Sequence, residues 1–158
     1  MRIADLAGLQ DLVGRDLVCP EILTMTQDRI DRFAQAVGDF QWIHVDSARA
    51  AQESPFRATI AHGFLTLSLL TWFIERTVVV ETGTMGLNYG LDRVRFVRPA
   101  PSGTGLVGRF TLVTLEPHPW GVQLHWDALI TDEAVALREE GIEVFALPLP
   151  LALKGPLQ

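Results

Sequence analysis

Residues 63–76, Gly63-Phe-Leu-Thr-Leu-Ser-Leu-Leu-Thr-Trp-Phe-Ile-Glu-Arg76, are apolar almost all the way round a helix. A helix that is hydrophobic on every side is one that other elements enclose. After it the texture changes. Segments 85–97, 105–115, 121–130 and about 134–147 are rich in Val, Leu, Phe and Trp, and turn formers separate them: Pro99-Ala-Pro-Ser-Gly103, Pro117-His-Pro119 and Thr131-Asp-Glu133. Short connections between long strands imply antiparallel neighbours. One enclosed helix followed by four long antiparallel strands predicts an α+β domain in which the sheet wraps the helix.

Ahead of this helix, the spacing Ile30, Phe33, Ala34, Val37 predicts a helix over 26–37, opened by Thr26 as cap, with Asp28 in its first turn and Gly38 as its stop. From 38 to 61 the chain lacks a sustained period and reads as mostly loop. A helical turn over 47–52, capped by Asp46 or Ser47, interrupts it. Leu17-Val18 fits a short strand, and the tail from Pro148 is too proline-rich for a helix and could extend along a neighbour. The chain of 158 residues has no internal repeat or long linker, so 1–158 is read as a single domain.

Composition narrows the function classes. Thirteen basic against nineteen acidic residues give a net charge of −6, which argues against nucleic acid as a partner. A lone cysteine, Cys19, excludes an internal disulfide and any multi-cysteine metal centre, and fits a reducing compartment. Asp5 and Asp11 break the N-terminal apolar stretch, so no secretory signal is expected, and no segment is long enough to span a membrane. The reading is a soluble, cytoplasmic protein. Histidines 44, 62, 118 and 125 lack a metal-ligand spacing, and neither a glycine-rich phosphate loop nor a Gly-x-Ser-x-Gly elbow occurs. No metal and no cofactor are expected.

Two patterns carry chemistry. In Gly38-Asp-Phe-Gln-Trp-Ile-His44-Val-Asp46 an acid, Asp39, and an imidazole, His44, stand five residues apart just beyond a helix. Such a pair can hold a water and share its protons, yet Asp39 as a turn residue and His44 bonded to a carbonyl fit equally. In Ile60-Ala-His-Gly-Phe64 a glycine opens the enclosed helix, whose first N–H groups have no internal partner and carry positive dipole. Charge developing on a ligand carbonyl could be stabilised there; Gly63 could also serve packing alone.

Together with Ser54-Pro-Phe56, Thr59-Ile-Ala-His-Gly-Phe-Leu-Thr-Leu-Ser-Leu-Leu70 and Gly86-Leu-Asn-Tyr-Gly-Leu-Asp-Arg-Val-Arg-Phe96, these patterns resemble the MaoC-like dehydratase family, in its (R)-specific enoyl-CoA hydratase branch, over about residues 24–115. The resemblance implies a hot-dog fold and a homodimer or higher oligomer. It also implies water addition to trans-2-enoyl-CoA thioesters to give (R)-3-hydroxyacyl-CoA. Asp39 and His44 would activate the water, and the Gly63 N–H would polarise the thioester carbonyl. Flanking residues Gln41, Trp42, His62 and Phe64, the helix hydroxyls Ser68 and Thr71, and Asn88 and Tyr89 are expected to line the acyl site. Many relatives carry Asn-Pro where this chain has Gln41-Trp42, so the packing of Trp42 must fix the loop, and the size of the pocket is the property in question. Arg93 and Arg95, on one face of a strand at period two, could meet the coenzyme A phosphates, or form a solvated face with ion pairs. Coenzyme A enters only as part of the substrate. The alternatives are a (3R)-hydroxyacyl-ACP dehydratase subunit acting on acyl-ACP, and a non-catalytic acyl-thioester-binding or assembly subunit.

Overall fold

The computed structural model describes residues 1–5, 7–82, 85–119, 121–136 and 151–153. The centre of the molecule is helix α4 (Gly63–Thr77), laid across a β-hairpin of β6 (Gly105–His118) and β7 (Gly121–Asp132). Alternation along the hairpin decides which face the helix meets. Leu106, Phe110 and Leu112 from β6, and Leu124, Trp126, Ala128 and Ile130 from β7, are all buried on the side facing α4. At the crossing, Gly108 lets the helix come close. A Cβ there would lie 2.7 Å from Phe73 Cβ and Cγ, and Phe73 is 0% exposed.

Around the hairpin the sheet runs β2 (Asp16–Val18), β6, β7, β8 (Leu151–Leu153), β5 (Gly86–Asn88), with β3 (Leu23–Thr24) also on β6. The strand pairings named here are antiparallel, and an isolated bridge from Val13 to Leu112 of β6 runs parallel. A separate two-stranded parallel ribbon joins β1 (Arg2–Ile3) to β4 (Val79–Val80), just past the end of α4. The architecture is α+β, an antiparallel sheet about a central helix. Among the described residues no helix is long and apolar enough to cross a membrane.

Local chemistry explains the first half. Helix α1 (Gln27–Val37) is capped by Thr26, whose hydroxyl accepts from Arg29 N–H, and it buries Ile30 and Ala34. Gly38 ends it in the left-handed region at φ 79°, and its N–H reaches Ala34 O. Asp46 caps α3 (Ser47–Glu53) through Arg49 N–H at 2.9 Å.

The strand expectations need correction. Only 86–88 of the expected strand 85–97 is a strand; 89–99 is irregular, with Tyr89, Leu91, Phe96 and Val97 exposed. β-propensity reports fit to a pleated, half-buried surface, and among the described residues no strand pairs with 89–99. Arg93 and Arg95 therefore do not share a strand face. Of the expected strand 134–147, the start is a helical turn, α5 (Glu133–Ala136), because Asp132 Oδ1 accepts the Ala134 N–H at 2.7 Å. The remainder lies outside the described residues. In the tail, 151–153 enters the chain's own sheet between β7 and β5. Helix α4 is not enclosed all round: Leu65, Leu69, Leu70, Phe73 and Ile74 are buried, whereas Phe64 and Ser68 face outward.

The Gly108–Phe73 approach sets a stability test. Gly108→Ala is expected to cost about 1–3 kcal/mol by overpacking, and Phe73→Ala about 3–5 kcal/mol by cavity formation. Because the added methyl would enter the space the ring vacates, the double variant should lose less than the sum in urea unfolding.

Candidate active site

The turn at Gly38 delivers the chain directly into the site. Asp39 follows it, half-exposed, and its Oδ1 accepts the Gln41 N–H at 3.3 Å. The chain then forms a one-turn helix, α2 (Trp42–Val45), where loop was expected, closed by Asp46 N–H donating to Trp42 O. This turn carries His44 inward to 7% exposure. Arg49 lies over the Trp42 ring at 4.3 Å, the packing that holds the turn in the absence of a proline.

His44 is fixed from three sides. Its Nδ1 is 2.7 Å from Ile60 O, and a carbonyl only accepts, so Nδ1 carries the hydrogen and, in the neutral ring, Nε2 carries the lone pair. Its own carbonyl accepts from Gln27 Nε2 at 2.7 Å, while Gln27 also donates to Asp31 and accepts from the Thr59 hydroxyl. Its ring stacks on His62, centroids 3.8 Å apart and planes 25° from parallel. His62 is the N-cap of α4 and 4% exposed, with Nε2 3.0 Å from Asp39 O and 3.9 Å from Asp39 Oδ2. One donor atom from each of Asp39, His44 and His62 lies within 4.8 Å of the others.

These three are also the group that could hold a metal ion among the described residues. The fit is poor. Stacked rings with centroids 3.8 Å apart and planes only 25° from parallel keep their lone pairs in separate planes, so one ion cannot lie on both at a zinc–nitrogen distance of about 2.0–2.1 Å. One nitrogen of each ring is already held by a carbonyl.

Gly63 begins α4 immediately after His62, whose side chain does not cap that end. The ring of Phe96 covers the glycine; a Cβ there would come within 3.1 Å of it. Further along α4, Ser68, Thr71, Asn88 and Tyr89 line a groove of about 300 Å³ with Leu67 and Leu91. Within it Asn88 Nδ2 donates to Thr71 Oγ1 at 3.2 Å, and the Ser68 hydroxyl turns back to Leu65 O. Phe64 is 69% exposed and meets Phe96 edge-on. Gln41 is exposed, and Arg93 and Arg95 stand in solvent on the irregular segment. The expected residues thus gather in two places, a polar cluster at the head of α4 and a groove along its flank.

Sequence reasoning missed Gln27, Thr59 and Phe96. Thr59 stands inside the motif that ends at Leu70, which was a signal; Gln27, a polar residue in a first helical turn, reads like any solvated position.

The MaoC like domain family matches residues 9–119. Nodulation protein N of Rhizobium leguminosarum bv. viciae is 50% identical over 113 residues, 71% of this chain and 70% of that protein. The 3-hydroxyacyl-thioester dehydratase Z of Mycobacterium tuberculosis H37Rv is 42% identical over 114 residues, 72% of this chain and 73% of that protein. The unliganded R-hydratase PhaJ1 of Pseudomonas aeruginosa has the same fold, with a TM-score of 0.70 at 22% identity over 91% of this chain and 83% of that one. The chain belongs to the MaoC-like dehydratase family and has the hot-dog fold.

Proposed function

We propose that the chain is a hydro-lyase that adds water to trans-2-enoyl-CoA thioesters, giving the (R)-3-hydroxyacyl product. The observation that carries this reading is the convergence of an Asp39 carboxylate oxygen and a His44 ring nitrogen within 4.8 Å, beside the head of α4, which the His62 side chain does not cap. A water bonded to both at about 2.8 Å, with a tetrahedral angle between the bonds, spans roughly 4.6 Å. The 42% identity to a protein named a 3-hydroxyacyl-thioester dehydratase points to the same chemistry.

The residues divide the work by their hydrogen-bonding states. With Nδ1–H engaged on Ile60, His44 offers Nε2 as acceptor, and Asp39 accepts the second O–H of the water. The water oxygen bonds to C3, one proton passes to the Asp39–His44 pair, and the C2=C3 electrons move toward the carbonyl. Negative charge on that oxygen is met by the Gly63 N–H and the helix dipole. The pair then returns a proton to C2, and both additions occur on one face, which sets a single configuration. The reaction needs no metal or redox group.

Arg93 and Arg95 are exposed and form no ion pair among the described residues, which leaves both guanidinium groups available to coenzyme A phosphates. The groove beside Thr71 would take the acyl chain, and a second copy of the chain would cover the outward apolar side chains Phe64, Tyr89 and Phe96.

Three outcomes are expected. Asp39→Asn and His44→Ala each lower hydration of crotonyl-CoA by about 10²–10⁴, followed by loss of the enoyl ultraviolet band. Both variants keep wild-type circular dichroism; near-wild-type turnover in either removes the mechanism. Arg93→Ala/Arg95→Ala raises KM for crotonyl-CoA and leaves that for crotonyl-pantetheine unchanged, whereas equal effects on both would remove the phosphate role. Light scattering should give twice the chain mass of 17.5 kDa, and a monomer would leave the outward apolar side chains without the partner assigned to them.

A further inference from the structure

We propose that His62 is a positioning residue that sets Asp39 and His44 relative to the head of α4, rather than a contact for substrate; this rests on the hydration reading above. Its place in the fold is distinctive. The backbone of His62 starts the helix, its carbonyl accepting the Thr66 N–H at 3.1 Å, so Gly63 and its N–H follow at a fixed offset. The side chain of the same residue reaches back to the loop after α1, where Nε2 is 3.0 Å from Asp39 O. A carbonyl only accepts, so Nε2 carries the hydrogen. One residue thus ties the water-activating loop to the carbonyl-polarising helix end.

The ring faces are used as well. One contact is the stack on His44 at 3.8 Å, and Phe33 packs tilted against the ring at 5.1 Å. At 4% exposure, little of the ring is open to a ligand. The remaining nitrogen, Nδ1, is buried with no hydrogen-bond partner among the described residues. A buried polar atom left without a partner is unfavourable, so stability by itself favours an apolar ring of the same size at this position. What a phenylalanine would not supply is the Nε2–H to the Asp39 backbone. The histidine is therefore explained by the alignment of the site and not by the packing around it.

The test compares His62→Phe, which keeps a ring, with His62→Gln, whose terminal amide can reach where Nε2 does. Misplacing a reacting group by about 1 Å can cost on the order of 10² in rate. His62→Phe is expected to lower kcat for crotonyl-CoA by about that factor, with KM unchanged and the melting temperature equal to or above wild type. His62→Gln should recover part of the lost kcat. Long-range proton–nitrogen spectra of the wild-type chain should show His62 protonated on Nε2 and His44 on Nδ1. Wild-type kcat in His62→Phe, a loss confined to KM, or His62 protonated on Nδ1 would each overturn the proposal. A wild-type chain that hydrates no thioester would instead overturn the hydration reading, and the imidazole spectra would still decide the contacts of His62.

Discussion

The close approach of helix α4 to the β6–β7 hairpin is the constraint on which the rest depends. Gly108 removes the side chain that would hold the helix off, and Phe73 fills the space so made. Close packing of this kind has little tolerance, because a fraction of an ångström at the contact forfeits much of the dispersion energy. It places the axis of α4 over the inward row Leu124, Trp126, Ala128 and Ile130. Once that axis is set, the position of Gly63 at its head is set too.

The polar cluster is then built by bringing a second, independent set of elements to that head. Helix α1 supplies Gln27, the turn at Gly38 supplies Asp39, and α2 supplies His44. The strap through Thr59 and Ile60 closes the set, with Ile60 N–H donating to Ile43 O and Ile60 O accepting from His44. Buried polar groups need partners, and here most of the partners are backbone atoms. Backbone carbonyls carry little rotamer freedom, so the His44 and His62 rings are held by Ile60 O and Asp39 O at small entropic cost, and Gln27 adds an ordered side chain at the His44 carbonyl.

What could be read in advance follows the range of the forces involved. Thr26, Gly38 and Asp46 act within four residues of themselves, and each was legible as a cap or a stop. The acid, the imidazole and the helix-opening glycine were legible because their types and order are unusual together. Segment 89–99 was misread because a strand is made by its partner, and Tyr89, Leu91 and Phe96 resemble strand residues whether or not a partner exists. Asp132 turned the expected strand at 134 into a helical turn through one local hydrogen bond that composition does not announce. The open flank of α4 was hidden by its uniform apolarity, which cannot distinguish a side that meets the sheet from one that meets a groove. Gln27 reaches His44 across seventeen residues, and nothing local to either marks that contact.

The placement of β8 has a consequence for how such a chain is made. Leu151–Leu153 sits between β7 and β5, paired antiparallel to both. Strand β5 is synthesised long before β8, the strand it pairs with in the sheet. During translation the hairpin and α4 can assemble while β5 waits with its backbone N–H and C=O groups unpaired, an edge open to other nascent chains. Contacts so distant along the chain form late and slowly, so the sheet is completed only once β8 has been made.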